Sequence, residues 1–300
     1  MPPRPHILVV NGRKVRQPVF VIGAPHSGAD LLGRALKQSP GFHLTIGQDA
    51  VQSVVYAFAR SPSIQRGRSD AAARVLRDAF AQSWQVTAHC CLTCSPICRE
   101  AGKVNGASCC VTERDIVRYG DASPDLMYCA DALLDAFSDA RLVQIIRDGR
   151  DVVAAMLADP QALAWFKDSM INVEAEFPNP FYGIETEQDQ EAWATLSAAG
   201  KCAMRWRGTV RAMARLRTTL SAEQLTTVRY ENLIKHPAPT GAGVADFIGS
   251  SLAPVQVRQA RREGVPVPEP GSWRKLLTGA QVTEIERVAG PELLRVGYGT

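Results

Sequence analysis

Residues 18–40, PVFVIGAPHSGADLLGRALKQSP, run from an apolar strand through a Gly-containing turn into a helix. Gly23 and Gly28 let the backbone approach a ligand closely, and the N-terminus of the helix adds partial positive charge. Such a strand, loop and helix can bind phosphate through backbone N–H groups. Ala29 and Asp30 replace the Lys-Ser/Thr pair of nucleotide-hydrolysing loops, so the sequence argues against ATP or GTP hydrolysis.

The rest of the chain alternates predicted strands with predicted helices. The run ARLVQIIR at 140–147 is apolar at its centre apart from Gln144, as expected of a buried parallel strand. An Asn11-Gly12 turn predicts a hairpin within residues 6–23, between the strands HILVV and PVFVIGA. The alternation predicts an α/β fold, a mostly parallel central sheet flanked by helices, that carries the phosphate-binding strand-loop-helix. Helices are predicted at about 27–38, 49–60, 70–85, 124–137, 148–158, 187–220, 241–249 and 278–299.

The size and charge of the chain bound its class. It has 300 residues with no convincing linker, so we expect one domain over residues 1–300. The net charge of +4 is too weak to indicate nucleic acid and fits a small polyanionic ligand. No apolar run approaches the ~18 residues that span a membrane, and ILVV at 7–10 is too short for a signal-peptide core. We therefore expect a cytoplasmic protein with no nucleic-acid or membrane partner.

Three arginines recur at four-residue spacing on the predicted helix 187–220. Arg207, Arg211 and Arg215 therefore share one helix face. We interpret this row as a solvated surface.

Six of the eight cysteines fall between residues 90 and 110, in a segment without periodicity that we interpret as an insertion at about 89–112. In a reducing cytosol, this clustering indicates thiolate metal ligands or free thiols before disulfides. A tetrahedral structural zinc would take Cys91, Cys94, Cys98 and a fourth thiolate from Cys109 or Cys110. Zinc, free thiols and disulfides all remain open.

Four segments, in order, resemble sulfotransferases of bacterial type that use 3′-phosphoadenosine-5′-phosphosulfate (PAPS). Residues 18–40 look like their loop P-[RK]-S-G-[TS]-[TS]-x-L, and DARLVQIIRDGRDVVAAM looks like their R-D-x-R-D-V segment followed by Ser. TTVRYENLIKHP is similar to R-Y-E-D-L, and GSWRKLLTGAQVTEIERVAG to the C-terminal W-[RK] segment and helix. YGDASP is also similar to G-D-K-[ST]-P. The resemblance covers most of the chain except about residues 55–115.

This resemblance implies a sulfotransferase that moves a sulfuryl group from PAPS to a hydroxyl or amine of a small-molecule acceptor. It assigns the 3′-phosphate to Arg147 and the adenine face to Tyr230. Arg274 and Lys275 would reach the phosphates from the C-terminal side. The 5′-phosphosulfate is assigned to the loop residues Pro25, His26, Ser27, Gly28, Ala29 and Asp30.

The chain departs from the family pattern at charged positions. His26 replaces the loop's Arg or Lys, Ala29-Asp30 its hydroxyl pair, Ala122 a Lys and Ala155 a Ser. Sulfuryl transfer needs positive charge where the leaving phosphate becomes negative, and a protonated His26 is one candidate for supplying it. The alternative is a sulfotransferase-like protein with lost or altered catalysis. It would act as a nucleotide or small-molecule binding module, or catalyse a different reaction in the same pocket.

The catalytic base is expected in the segment GFHLTIGQDA, which follows the first helix. His43 and Asp49 are the candidates, because proton removal from the acceptor needs a group within hydrogen-bond reach. The alternatives are an ordinary surface histidine and an N-cap of the next helix.

Asp30 would bring a carboxylate next to the phosphate. We therefore expect its side chain to cap its own helix or to pair with Arg34 at i+4. Backbone N–H groups of residues 27–30 would then hold the phosphate.

Overall fold

The computed structural model of the chain describes residues 7–66, 69–106, 108–167, 176–250 and 267–299. Within these ranges there are seven strands: β1 (Val9–Val10), β2 (Arg13–Lys14), β3 (Val19–Gly23), β4 (Phe42–Thr45), β5 (Arg118–Asp121), β6 (Arg141–Ile146) and β7 (Leu225–Arg229).

Five of these strands form one parallel sheet in the order β4-β5-β3-β6-β7. β3 lies at the centre and all five of its residues are buried. Its apolar run is continuous because helices cover both faces of the sheet. The predicted α/β fold with a parallel central sheet is confirmed.

Thirteen α-helices surround the sheet in the described ranges. Their bounds are α1 (Ala29–Lys37), α2 (Asp49–Arg60), α3 (Ser69–Ser83), α4 (Pro96–Ala101), α5 (Ala130–Ala136), α6 (Gly149–Leu157), α7 (Pro160–Ala164), α8 (Glu187–Trp193), α9 (Ala198–Thr219), α10 (Tyr230–Lys235), α11 (Pro237–Ile248), α12 (Trp273–Leu276) and α13 (Gly279–Arg295). Among the described residues, no helix combines the length and apolar character needed to cross a membrane.

Side chains of β3 alternate between two hydrophobic layers, as the strand period of two requires. On one face, the Phe20 ring packs against those of Phe80 and Phe137, with centroids 5.1 and 5.5 Å away. On the other face, Val19 and Val21 belong to the layer that α1 covers. This packing fixes the position of the C-terminal end of β3, where the loop to α1 begins. That residues 1–300 form a single domain stays a prediction.

Two predicted elements differ from the structure. Asn11 and Gly12 do form a turn, but the hairpin joins β1 to the short β2. β3 instead joins the main sheet, where parallel neighbours occupy both of its edges.

The predicted helix 187–220 is two helices, α8 and α9. Ser197 interrupts it, because its side chain accepts hydrogen bonds from the Ala199 and Gly200 N–H groups and starts a new helix. Apolar periodicity continues across this break, which is why the pattern alone did not reveal it.

The arginine row on α9 is solvated only in part, at Arg215. Arg207 is buried and contacts Asp189 at 2.5 Å, while Arg211 and Arg215 both pair with Glu185. The solvated interpretation is wrong for Arg207, because the chain before α9 folds back and places carboxylates over this face.

Candidate functional site

The candidate site is a cavity of about 400 Å³ at the edge where the parallel strands end. Open α/β sheets bind ligands at this edge. The loop after β3 forms one wall, with Gly23, Pro25, His26 and Asp30 among its lining residues. The segment after β5, which begins with Ala122, forms another.

Tight internal packing fixes the loop between β3 and α1. The Ser27 N–H and hydroxyl both donate to the Ala24 carbonyl, at 3.1 and 2.6 Å. Gly28 has φ +99°, and a Cβ there would lie 2.5 Å from the Tyr230 ring. Only glycine satisfies both conditions. The Ser27 hydroxyl is therefore occupied within the loop.

Arg147, at the end of β6, lies against this loop with 2% of its surface exposed. Its Nη1 donates to the His26 carbonyl at 2.9 Å, and its guanidinium lies 4.4 Å from the centroid of the Tyr230 ring. Its Nε and Nη2 atoms have no hydrogen-bond partner among the described residues. Arg150, by contrast, is paired with Asp148. The structure thus leaves Arg147, and not Arg150, with guanidinium nitrogens that have no partner among the described residues.

His26 and Asp159 form a pair on the cavity wall. The His26 Nε2 atom is 3.1 Å from Oδ2 of Asp159. The other oxygen of Asp159 accepts from the Gln161 N–H and caps α7, which fixes the carboxylate in place. His26 has φ +59°, so the loop backbone adopts an uncommon conformation at this side chain.

The floor of the cavity holds a buried ion pair. Arg205 of α9 contacts Asp125 at 2.8 Å, and both side chains are buried. Burial raises the pKa of Asp125, and the charge of Arg205 opposes that shift. Tyr56 and Trp165 line the same cavity, with ring centroids 4.9 Å apart. The site therefore offers the aromatic surface of Tyr56 and Trp165 beside the Arg205–Asp125 ion pair.

Asp121 connects the ends of β4 and β5 below the cavity. It accepts hydrogen bonds from the Thr45 hydroxyl at 2.5 Å and from the Ser123 N–H at 2.7 Å. Complete burial raises the pKa of this carboxyl to about 7, although both hydrogen bonds act to lower it. The group supports the cavity wall and does not line the cavity.

Asp30 departs from expectation. It makes no cap to its own helix, and Arg34 pairs with Glu100 at 3.0 Å instead. Within the described part of the chain, the Asp30 carboxylate has no ion-pair partner, and it lines the cavity. The predicted pairing with Arg34 is wrong, because α4 of the insertion packs against α1 and supplies a competing acid.

Neither of the two residues proposed as the catalytic base lines the cavity. His43 lies buried on β4, and burial lowers its pKa to about 4. Its ring is edge-on to that of Tyr119. Asp49 is exposed at the start of α2. Neither residue is within the cavity lining.

The C-terminal candidates also lie outside the lining. Arg274 and Lys275 are exposed on α12, and the Arg274 guanidinium lies over the Trp273 ring at 4.5 Å. Tyr230 is buried between the loop and Arg147, and its hydroxyl donates to the Pro268 carbonyl. In the structure Tyr230 orients Arg147.

The zinc prediction finds no support. In the described ranges, no group of three or more His, Cys, Asp or Glu side chains is arranged to hold a metal ion. Some of the thiols form hydrogen bonds with one another and with the backbone instead. The Cys109 thiol donates to the Thr87 carbonyl, and its sulfur accepts a hydrogen bond from Cys90. All eight cysteines are free thiols. The set predicted for zinc was Cys91, Cys94, Cys98 and Cys109.

Sequence reasoning missed Asp159, Asp125 and Arg205. The Asp159-Pro160 dipeptide is a helix-start signal, which indicated a cap but gave no reason to place it beside His26. Asp125 and Arg205 lie 80 residues apart and carry no local signal.

Comparison with known proteins adds three findings. Residues 18–179 match the profile of the "Sulfotransferase family". No curated protein matches the sequence. Among solved structures, the chain is similar to a sulfotransferase from Alicyclobacillus acidocaldarius (14% identity, 94% of each chain, TM-score 0.47). It is also similar to sulfotransferase STF9 from Mycobacterium avium (14% identity, 96% of this chain and 79% of that one, TM-score 0.48) and to mouse sulfotransferase SULT7A1 complexed with PAP (12% identity, 93% and 86%, TM-score 0.46).

Proposed function

The chain belongs to the sulfotransferase family, and from that premise we propose that it transfers a sulfuryl group from PAPS to a hydroxyl or amine of a small-molecule acceptor. The acceptor would occupy the cavity of about 400 Å³, between the loop and the Tyr56–Trp165 surface. That volume suits a small organic molecule.

The observation that carries this proposal is the state of Arg147. A guanidinium that is almost fully buried and keeps two N–H-bearing atoms without a partner in the described residues is costly unless a ligand completes it. Phosphate is the ligand that a planar guanidinium fork binds best. The 3′-phosphate of PAPS is the group we assign to it.

The loop offers a second anion site of a different kind. The N–H groups of the first turn of α1, at Ala29 and Asp30, have no acceptor one turn earlier in the helix. They would hold the 5′-phosphosulfate together with the partial positive charge of the helix start. Gly28 and Ser27 shape this turn, and Pro25 and His26 form its rim.

His26 and Asp159 are the residues we assign to proton transfer. A neutral His26 would accept the proton of the acceptor hydroxyl or amine as the acceptor attacks sulfur. Asp159, 3.1 Å away, would stabilise the imidazolium that results. Positive charge thus arises at the loop just as negative charge develops on the leaving phosphate. This role replaces the Arg or Lys that the family carries at position 26.

Isothermal titration with adenosine 3′,5′-bisphosphate tests the proposal. We expect the wild-type protein to bind it, and Arg147→Ala to weaken binding at least tenfold, which corresponds to about 1.4 kcal/mol. Arg215→Ala changes an exposed arginine that does not line the cavity, so it is the matched control and should bind normally. Folded wild-type protein that gives no binding heat would overturn the proposal.

A second candidate function is favoured by Asp30. Its carboxylate lines the cavity beside the proposed phosphate position and has no ion-pair partner in the described residues. A loop specialised for a neutral or cationic ligand would explain it. The protein would then be a sulfotransferase-like binding module, or catalyse a different reaction in the same pocket. Folded protein that neither binds the bisphosphate nor turns over PAPS, for any acceptor tried, would favour this candidate.

A further inference from the structure

The cysteine-rich insertion holds thiols that the proposed reaction does not use. Cys90 lies in the short turn Cys90–Thr93, and Cys109 lies just after the loop that follows α4. The Cys90 thiol donates to the Cys109 sulfur at 2.8 Å. Both side chains are partly exposed, unlike the buried Cys91 and Cys98.

A second cavity, of about 510 Å³, gives solvent access to Cys109. It opens on the surface beside the insertion and is lined by Cys109, Cys110, Lys37 and Lys103, with Asp115 at its rim. The Lys37 ammonium donates to the Cys110 sulfur at 3.2 Å. Cys109 is distinguished from Cys110 by its direct contact with the Cys90 thiol.

We propose that Cys90 and Cys109 are a reversible peroxide-sensitive site that closes to a disulfide. The Cys109 thiolate attacks hydrogen peroxide: an S–O bond forms, the O–O bond breaks and hydroxide leaves. The Cys90 sulfur then attacks the Cys109 sulfenic acid: the S–S bond forms, the S–O bond breaks and water leaves with the Cys90 proton. Two thiols are oxidised, and one peroxide is reduced to two waters.

The disulfide would close a ring that contains one wall of the site cavity. Ser95 and Ile97, both inside the ring, line that cavity. The Ser95 hydroxyl donates to the Ile46 carbonyl at 2.5 Å and already attaches the insertion to the end of β4. Oxidation would therefore restrain this wall, whatever the reaction in the cavity. The inference is independent of the proposed sulfuryl transfer.

The competing pair is Cys91 with Cys110. The Cys110 N–H donates to the Cys91 sulfur at 3.3 Å, and hydrogen bonds from the Cys110 and Cys94 thiols lower the pKa of Cys91. Cys91 is buried, however, so peroxide reaches it less readily than it reaches Cys109.

Peptide mapping of the full chain after treatment with equimolar hydrogen peroxide tests the proposal. We expect a Cys90–Cys109 disulfide, a loss of two thiols from the eight of the reduced chain, and complete reversal by dithiothreitol. Cys109→Ser should abolish the disulfide. Cys110→Ser, which changes the neighbouring thiol in the same cavity, should keep it.

Three outcomes would overturn the proposal. The first is a disulfide that maps to Cys91–Cys110. The second is oxidation that stops at sulfinic acid and resists dithiothreitol. The third is stoichiometric zinc in the purified protein together with thiols that do not react. Mapping on the wild-type chain keeps the test decisive even where a serine variant folds poorly.

Discussion

Arg147 donates a hydrogen bond from Nη1 to the backbone carbonyl of His26 across 2.9 Å. The bond joins the end of β6 to the loop that follows β3, over 121 residues of sequence. A charge-assisted bond of this kind holds the loop in place while leaving other guanidinium nitrogens for a ligand. The same residue therefore shapes the loop and offers the phosphate contact. Arg147→Lys separates the two roles, because it keeps the charge but loses the planar fork.

Gly28→Ala should destabilise the protein. The substitution forces a side chain at φ +99° and places Cβ 2.5 Å from the Tyr230 ring, so we expect a loss of about 1–3 kcal/mol in the free energy of unfolding. Urea denaturation measures it. The control is Gly243→Ala in α11, where no atom lies within 4 Å of the added Cβ and alanine should leave stability unchanged or raise it. Equal stability of the two variants would contradict the packing we describe.

Asp30→Asn should raise the affinity for adenosine 3′,5′-bisphosphate. Removing a carboxylate close to a phosphate relieves a repulsion of about 4 kcal/mol at 4 Å and an effective dielectric of ~20, although solvent reduces the measured gain. Asp49→Asn is the matched control, since Asp49 is also a first-turn acid but is exposed and away from the cavity. Calorimetric titration measures both. If Asp30→Asn abolishes binding, the loop is specialised for another ligand.

Asp159→Asn should slow turnover without weakening nucleotide binding. The amide can still cap α7 through its oxygen but cannot stabilise an imidazolium at His26, so we expect kcat to fall by about 10²-fold. The double variant His26→Gln/Asp159→Asn should be little worse than either single variant, because the two residues act as one unit. Steady-state kinetics, with the bisphosphate affinity as the control, checks this. Independent, multiplying effects would argue against the pair.

Asp121→Asn should change how stability depends on pH. The pKa of the Asp121 carboxyl is raised from 3.8 in the unfolded chain to about 7. Between these values the folded state binds more protons, so this group lowers stability as pH rises, by up to about 1.4 kcal/mol per pH unit. Asparagine removes that slope.

In the Asp121→Asn variant, His43 still makes the free energy of unfolding depend on pH. Its pKa is lowered from 6.5 to about 4, so the unfolded state binds more protons in that window and stability rises with pH. The stability of Asp121→Asn should therefore climb more steeply between pH 4 and 6.5 than that of the wild type. Urea denaturation at several pH values measures the two curves, and parallel curves would refute the assignment.

The sequence by itself determined the architecture of the sheet and the place of the loop. Strands β3 and β6 are mostly apolar because both of their faces are buried, and that pattern depends on a few consecutive residues. Local sequence likewise predicts the helix that begins after Gly28 and the strand that ends before Arg147. The loop after β3 and Arg147 after β6 could therefore each be placed at the end of a buried strand before their contacts were known.

Only the tertiary structure decided which polar side chains meet. His26 and Asp159 are separated by 133 residues, and Asp125 and Arg205 by 80. Arg34 pairs with Glu100 and not with Asp30, and Arg207 is buried against Asp189. Each of these pairings depends on how elements distant in the sequence pack together. Local periodicity records which face of an element is buried. The partner that a charge finds on that face is set by chain crossings and desolvation, which no short stretch of sequence contains.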